Sequence, residues 1–266
     1  MSGMLKRRTL SALGGLPVLF AIVWWGKPWL FTLLVAVIAL LAAMEFYRMA
    51  ARSSRKPLVS FGLLWILLLI LSPRSEDFPS ISLLVTTAVV LPPIWLVFRS
   101  PRSLISNWAW TLAAILYVGW MLSRVVALRD VADGREWVIF ALFATFAADT
   151  SAFFIGRAVG SHLLAPAISP GKTWEGAIAG LLGAVAASLL LASLLDLPLG
   201  WGQKAGLGCI IGVLALGGDL AESWLKRRTG VKDSGRLIPG HGGILDRVDS
   251  VVLTGAVMYY YVIWVV

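Results

Sequence analysis

Apolar residues fall into nine stretches parted by short polar segments, at about residues 10 to 26, 28 to 47, 57 to 72, 78 to 98, 107 to 123, 136 to 156, 174 to 196, 204 to 225 and 250 to 266. A bilayer core needs ~20 apolar helical residues, and most of these stretches meet that length. The third and fifth are short, and only Lys27-Pro28 parts the first two. The pattern predicts an all-α polytopic transmembrane helical bundle of about nine spans. Composition agrees: 59% of the 266 residues are hydrophobic and 14% charged, far from the composition of a soluble domain.

The basic residues give the bundle an orientation, because cytoplasmic loops carry the excess of Lys and Arg. With the N-terminus cytoplasmic, 17 of the 23 fall on the inner side, in groups around Lys6, Arg48, Arg99, Arg157 and Lys226. The expected location is therefore the cell (inner) membrane, multi-pass, with both polar-rich loops facing the cytoplasm. We read residues 1–266 as one integral membrane domain, with an N-terminal helical part, 1–145, and a catalytic part, 146–266. The basic N-terminus and first apolar stretch resemble a signal peptide but lack a small-x-small cleavage site after Gly14, so a retained helix is expected. The single cysteine, Cys209, excludes an intrachain disulfide. A net charge of +9 follows the inside rule without interleaved aromatics, which points to anionic lipid and nucleotide as partners and to no nucleic acid.

The acidic residues are unevenly spread. Seven of the 14, namely Asp149, Glu175, Asp219, Glu222, Asp233, Asp246 and Asp249, lie in or beside the two inner loops of the second half. Charge within a membrane helix costs roughly 2.5 to 3.5 kcal/mol on insertion scales and reads as functional by default. Asp219, Glu222, Ser223 and Lys226 share a helical face, as do Asp246 and Asp249 at i, i+3. If the two faces meet, three or four carboxylates converge near Lys226 and Arg247, a setting suited to Mg²⁺ with substrate phosphates. Interhelical ion pairing is the plain structural alternative.

Pro239-Gly-His241-Gly-Gly243 offers backbone that can approach an oxyanion, flanked by Lys232, Arg236 and Arg247. Ser169-Pro-Gly-Lys172-Thr173 resembles part of a phosphate loop, but position 166 is Pro where the full pattern needs glycine. What remains is a Lys/Thr pair at a helix start, either an anion contact or a helix cap. With two histidines, one cysteine and no serine-nucleophile motif, the available groups are carboxylates, lysines and arginines, the set used in phosphoryl and nucleotidyl transfer.

These residues resemble phosphatidate cytidylyltransferases, also called CDP-diacylglycerol synthases. The resemblance rests on Ser223, Lys226-Arg227, Lys232-Asp233-Ser234, His241-Gly-Gly and Asp246-Arg247-Val-Asp249, with a second region from Asp149 to Gly176, and covers roughly residues 149 to 250. It implies reaction of CTP with phosphatidate to give CDP-diacylglycerol and pyrophosphate, with Mg²⁺ and a second cation. Asp219 and Asp246 are then the expected metal ligands, with Asp249 supporting. Lys226, Asp246 and Lys232 are the expected catalytic groups. Asp149, Lys172, Thr173, Ser223, Arg227, Arg236, His241 and Arg247 are the expected substrate contacts, with Asp149 partly buried near Ser223. Nothing functional is carried onto the first 145 residues. A homodimer is compatible with this reading and derived from nothing in the sequence.

Three alternatives stand beside it. A polyprenol or phytol kinase would share the nucleotide site and transfer the γ-phosphoryl group. A CDP-alcohol phosphotransferase would need an Asp-Gly-x-x-Ala-Arg pattern, whereas Asp133-Gly134 continues Arg-Glu-Trp. A transporter should show repeat symmetry and acidic residues in both halves.

Overall fold

The structure is a computed structural model and describes residues 17–74, 80–99, 103–235 and 242–266. Its helices are α1 (Pro28–Arg52), α2 (Val59–Leu71), α3 (Ile81–Arg99), α4 (Leu104–Leu128), α5 (Gly134–Val159), α6 (Trp174–Leu194), α7 (Trp201–Arg228) and α8 (Leu245–Val265). Residues 17–24 are also helical. Strands β1 (Leu163–Ala165) and β2 (Ser169–Thr173) form an antiparallel hairpin between α5 and α6.

Among the described residues seven helices are long and apolar enough to cross a membrane, all but α2 of the eight. The protein is thus an all-α, multi-pass membrane protein. The stretch expected at 57 to 72 forms only 13 α-helical residues and a short 3₁₀ turn. At 1.5 Å per residue that α-helix reaches about 20 Å, short of the ~30 Å hydrocarbon core. Of the stretch expected at 10 to 26, residues 10–16 fall outside the described residues.

The chain forms two compact units that do not follow chain order. The first comprises residues 1–127 and 228–246, the second residues 128–227 and 247–266. In the first, Phe31, Ala39, Ala43, Phe46, Met49, Ile66, Leu69, Ile115 and Val118 are buried. Burying apolar area gives no water-driven gain between helices in lipid, so close packing and polar contacts hold such helices together. Accordingly Tyr47 Oη donates to the Thr111 carbonyl at 3.2 Å, and the start of α2 is tied to α4 by Lys56 N to Asn107 Oδ1 and Leu58 N to Thr111 Oγ1, both at 2.9 Å. One turn of α4, Ile115–Trp120, is a π-helix.

In the second unit Trp137, Phe140, Ala184, Leu207, Ile211, Val252 and Ala256 are buried. Thr145 Oγ1 donates to Thr254 Oγ1 at 2.9 Å, and Ser250 Oγ reaches the Ala215 carbonyl at 3.2 Å, so α5, α7 and α8 are joined by hydroxyls. α7 meets α8 closely at Gly218. A Cβ there would lie 2.5 Å from the Asp249 carbonyl oxygen, so only glycine admits α8 at this level.

Candidate active site

Gly218 decides what its neighbour meets. By letting α8 come up against α7, it brings Asp219 within electrostatic reach of Asp249, with Asp149 of α5 also in range. Asp249 is buried, and its Oδ1 accepts the Ser250 amide at 2.8 Å. Ser250 Oγ lies 3.4 Å from Asp149 Oδ1. Asp219, with a side chain 40% exposed, accepts from Ser223 Oγ at 3.3 Å through Oδ1 and holds Lys172 Nζ at 2.8 Å through Oδ2. One turn further on, buried Glu222 takes Lys226 Nζ at 2.7 Å.

Lys172 arrives from the hairpin, and its aim follows from local structure. Thr173 has extended backbone and caps α6, its Oγ1 accepting the Gly176 amide at 3.2 Å. His162 clasps the same helix start: its carbonyl accepts the Trp174 amide at 2.9 Å, and its Nδ1 lies 2.6 Å from Glu175 Oε1. The hairpin is therefore fastened to α6, with Lys172 as the last strand residue before the cap. Arg227, at the end of α7, donates to the Ile168 carbonyl at 3.1 Å in the hairpin loop. Lys172, Lys226 and Arg247 all lie within electrostatic reach of the carboxylates. Asp149, Asp219, Glu222 and Asp249 thus gather with Lys172, Lys226 and Arg247 in one charged cluster.

The first unit holds a different arrangement. Asp246, at the start of α8, accepts the Gly243 amide at 2.8 Å and the Ser234 amide at 3.2 Å through Oδ2. Glu45, fully buried in α1, accepts Ser234 Oγ and the Leu245 amide through Oε2, both at 3.0 Å. A Cβ on Gly243 would fall on Ser234 Oγ and Glu45 Oε2, and one on Gly235 would fall on Glu45 Oε1. These glycines make room for a carboxylate of the protein itself. Lys232 is exposed in the same unit.

The sequence-derived set is therefore divided. Asp149, Lys172, Thr173, Asp219, Ser223, Lys226, Arg227, Arg247 and Asp249 belong to the second unit, and Lys232 and Asp246 to the first. Arg236 and His241 lie outside the described residues. Asp149 has Ser250 as its hydroxyl partner, whereas Ser223 serves Asp219. The Lys172-Thr173 pair divides its roles, the threonine capping the helix and the lysine holding Asp219. Glu45 was absent from the expected site, and Glu222 was read on the Asp219 face without a role of its own. Glu45 had a readable signal, a lone acid in the apolar run Thr32 to Tyr47.

Among the described residues no three Asp, Glu, His or Cys side chains form a set that could cage a metal ion. Mg²⁺ commonly takes one or two carboxylates and completes its shell with waters and substrate phosphates. A half-exposed Asp219 within electrostatic reach of Asp249 fits that mode.

Residues 6–265 match the profile of the cytidylyltransferase family. The chain is 37% identical over 236 residues to a phosphatidate cytidylyltransferase of Brucella abortus biovar 1 (strain 9-941), covering 87% of this chain and 83% of that one. It is 33% identical to the Synechocystis sp. (strain ATCC 27184 / PCC 6803 / Kazusa) phosphatidate cytidylyltransferase, over 97% of this chain and 96% of the other. With phosphatidate cytidylyltransferase 4, chloroplastic, of Arabidopsis thaliana the identity is 34%, over 97% and 73%. A profile match over nearly the whole length, with relatives this similar, means that the chain belongs to the cytidylyltransferase family.

Proposed function

We propose that this membrane enzyme transfers the cytidylyl group of CTP to phosphatidate, giving CDP-diacylglycerol and pyrophosphate for phospholipid biosynthesis. The observation that carries the reading to particular residues is the cluster of Asp149, Asp219 and Asp249 with Lys172, Lys226 and Arg247. A phosphate monoester has its second pKa near ~6, so the lipid phosphate is already a dianionic nucleophile at pH 7. Its oxygen forms a bond to the α-phosphorus of CTP while the α–β anhydride bond breaks and pyrophosphate leaves. No strong base is required.

The obstacle is the repulsion between two polyanions. Lys172 and Lys226 sit on carboxylates that can release them to phosphate oxygens, so the cations stay localised without substrate and become available with it. Arg247, exposed at the start of α8, can offer a planar fork to a phosphate. Asp219 and Asp249 are the residues we assign to Mg²⁺, with Asp246, one helical turn before Asp249, a further candidate on spacing. When bound, Mg²⁺ supplies charge neutralisation at the phosphates and holds the leaving group. Thr173, Ser223 and Arg227 position Lys172, Asp219 and the hairpin, while Lys232, Arg236 and His241 are assigned to the triphosphate on the strength of the sequence. The Lys and Arg bias supports an inner-membrane enzyme whose site faces the cytoplasm, where CTP is found and the inner leaflet supplies phosphatidate.

The test is to incubate purified protein with phosphatidate, Mg²⁺ and CTP labelled at the α- or the γ-phosphate, beside an Asp219→Asn control. Lipid-extractable α-label, lost in the control, is the expected outcome. Label from the γ-phosphate in the lipid phase, tested also with a polyprenol, would replace this reading with a lipid kinase.

A further inference from the structure

Glu45 is joined to the loop before α8 across almost the whole sequence. One oxygen, Oε2, accepts both the Ser234 hydroxyl, within that loop, and the Leu245 amide, at the first residue of α8. Ser234 in turn gives its amide to Asp246, and Gly243 gives its amide to the same carboxylate. The result is a continuous chain, from Glu45 through Ser234 to Asp246, in which every donor is an amide or a hydroxyl. No cation pairs with Glu45 among the described residues. Its second oxygen, Oε1, is buried and accepts no hydrogen bond among them. Gly235 and Gly243 leave the carboxylate the space it occupies.

A buried carboxylate is costly to keep, and a merely structural contact between α1 and the loop could be made by apolar packing. What Glu45 provides instead is direction: two donors converge on a single oxygen, which fixes the loop end and the first turn of α8 relative to α1. We propose that Glu45 is a positioning residue for cytidylyl transfer, holding Asp246 in place through Ser234 and the Leu245 amide. The inference rests on the cytidylyl-transfer reading for its kinetic consequence and on geometry alone for its mechanical one.

The chemistry of the chain separates two conservative variants. Glu45→Gln keeps a carbonyl oxygen that can accept both donors, and no described donor faces the position where its NH₂ group would lie. Glu45→Asp keeps the charge but shortens the arm by one methylene. With wild type as reference, Glu45→Asp should lower kcat about tenfold or more with KM for CTP within about twofold, whereas Glu45→Gln stays within about threefold of wild type. Ser234→Ala should lower kcat about fivefold, and adding it to Glu45→Asp should cost nothing further, because both act through one chain. Ser234→Ala removes a single hydroxyl and carries the test should Glu45→Asp not fold.

Hydrogen exchange of the peptide spanning residues 242–250 decides the mechanical half whatever reaction the enzyme performs. Exchange should quicken in Glu45→Asp and Ser234→Ala and stay at the wild-type level in Glu45→Gln. Unchanged exchange and kcat in Glu45→Asp and Ser234→Ala, equal losses in Gln and Asp, or losses that multiply in the double variant would each overturn the inference. A wild-type protein inactive with CTP and phosphatidate would instead sink the reaction reading, with the exchange result still deciding this one.

Discussion

The two units handle buried negative charge in opposite ways. Around Asp219 the carboxylates are met by lysines and an arginine, cations whose charge a phosphate could also pair with. Around Glu45 the donors among the described residues are an amide and a hydroxyl, groups with no charge to carry away. On the proposed reading, charge that meets a ligand is balanced by other ions, and charge that serves architecture is held by fixed dipoles. The difference also shows in exposure: the Asp219 side chain is 40% exposed, whereas Glu45 is buried.

The comparison is most exposed to failure at Asp219 and Asp249. Asp219→Asn and Asp249→Asn should each reduce kcat/KM for CTP by about 10³-fold, the scale expected when charge stabilisation at a phosphoryl centre is lost. The melting temperature of Asp219→Asn in detergent should hold or rise, because neutralising one of several clustered carboxylates relieves repulsion. A fall in melting temperature with activity retained would make the cluster an ion-pair scaffold. Next in size is Lys172→Met, expected to cost about 10²-fold in kcat/KM, with Lys172→Arg recovering part of it if a point charge near the phosphates is what matters.

Gly218→Ala carries a mixed effect. The added methyl group must push against the Asp249 backbone, which should destabilise the protein by about 1 to 3 kcal/mol and lower activity by separating α7 from α8. Thermal melts and turnover measured on the same preparation would check it. The smallest effect belongs to Thr173→Val, which loses the cap of α6 at about 1 kcal/mol and leaves turnover within about threefold. A much larger loss of turnover would mean that the Thr173 hydroxyl contacts substrate in addition to capping.

Much of this was legible because membrane burial writes strong signals. Long apolar runs located the seven spanning helices, and acids within or beside them marked Asp149, Asp219 and Asp249. Glu45 carried the same signal and was passed over, because its partners lie some 190 to 200 residues away and no local motif surrounds it. The glycines near His241 suggested an anion cradle, whereas Gly243 and Gly235 admit the carboxylate of Glu45. Spacing alone does not say which oxyanion a glycine makes room for. The hairpin was illegible for another reason: Ser-Pro-Gly-Lys-Thr has poor strand propensity. It pairs because His162 and Thr173 are fastened to the start of α6, a tertiary constraint written in no single segment. Two-unit organisation was likewise hidden, since residues 228–246 belong with the first 127 and α8 beyond Asp246 with the rest.

The hairpin also makes a claim about how this chain can vary. Residues along a strand face alternate sides, so the side on which Lys172 emerges is a matter of parity counted from Thr173. Inserting or deleting one residue between Ser169 and Thr173 would turn the lysine away from Asp219, whereas a change of two would restore its side and merely shift its height. Length variation here should therefore occur in even steps, or be absorbed in the Pro166 to Ile168 loop, making this short segment a parity check on the family's descent.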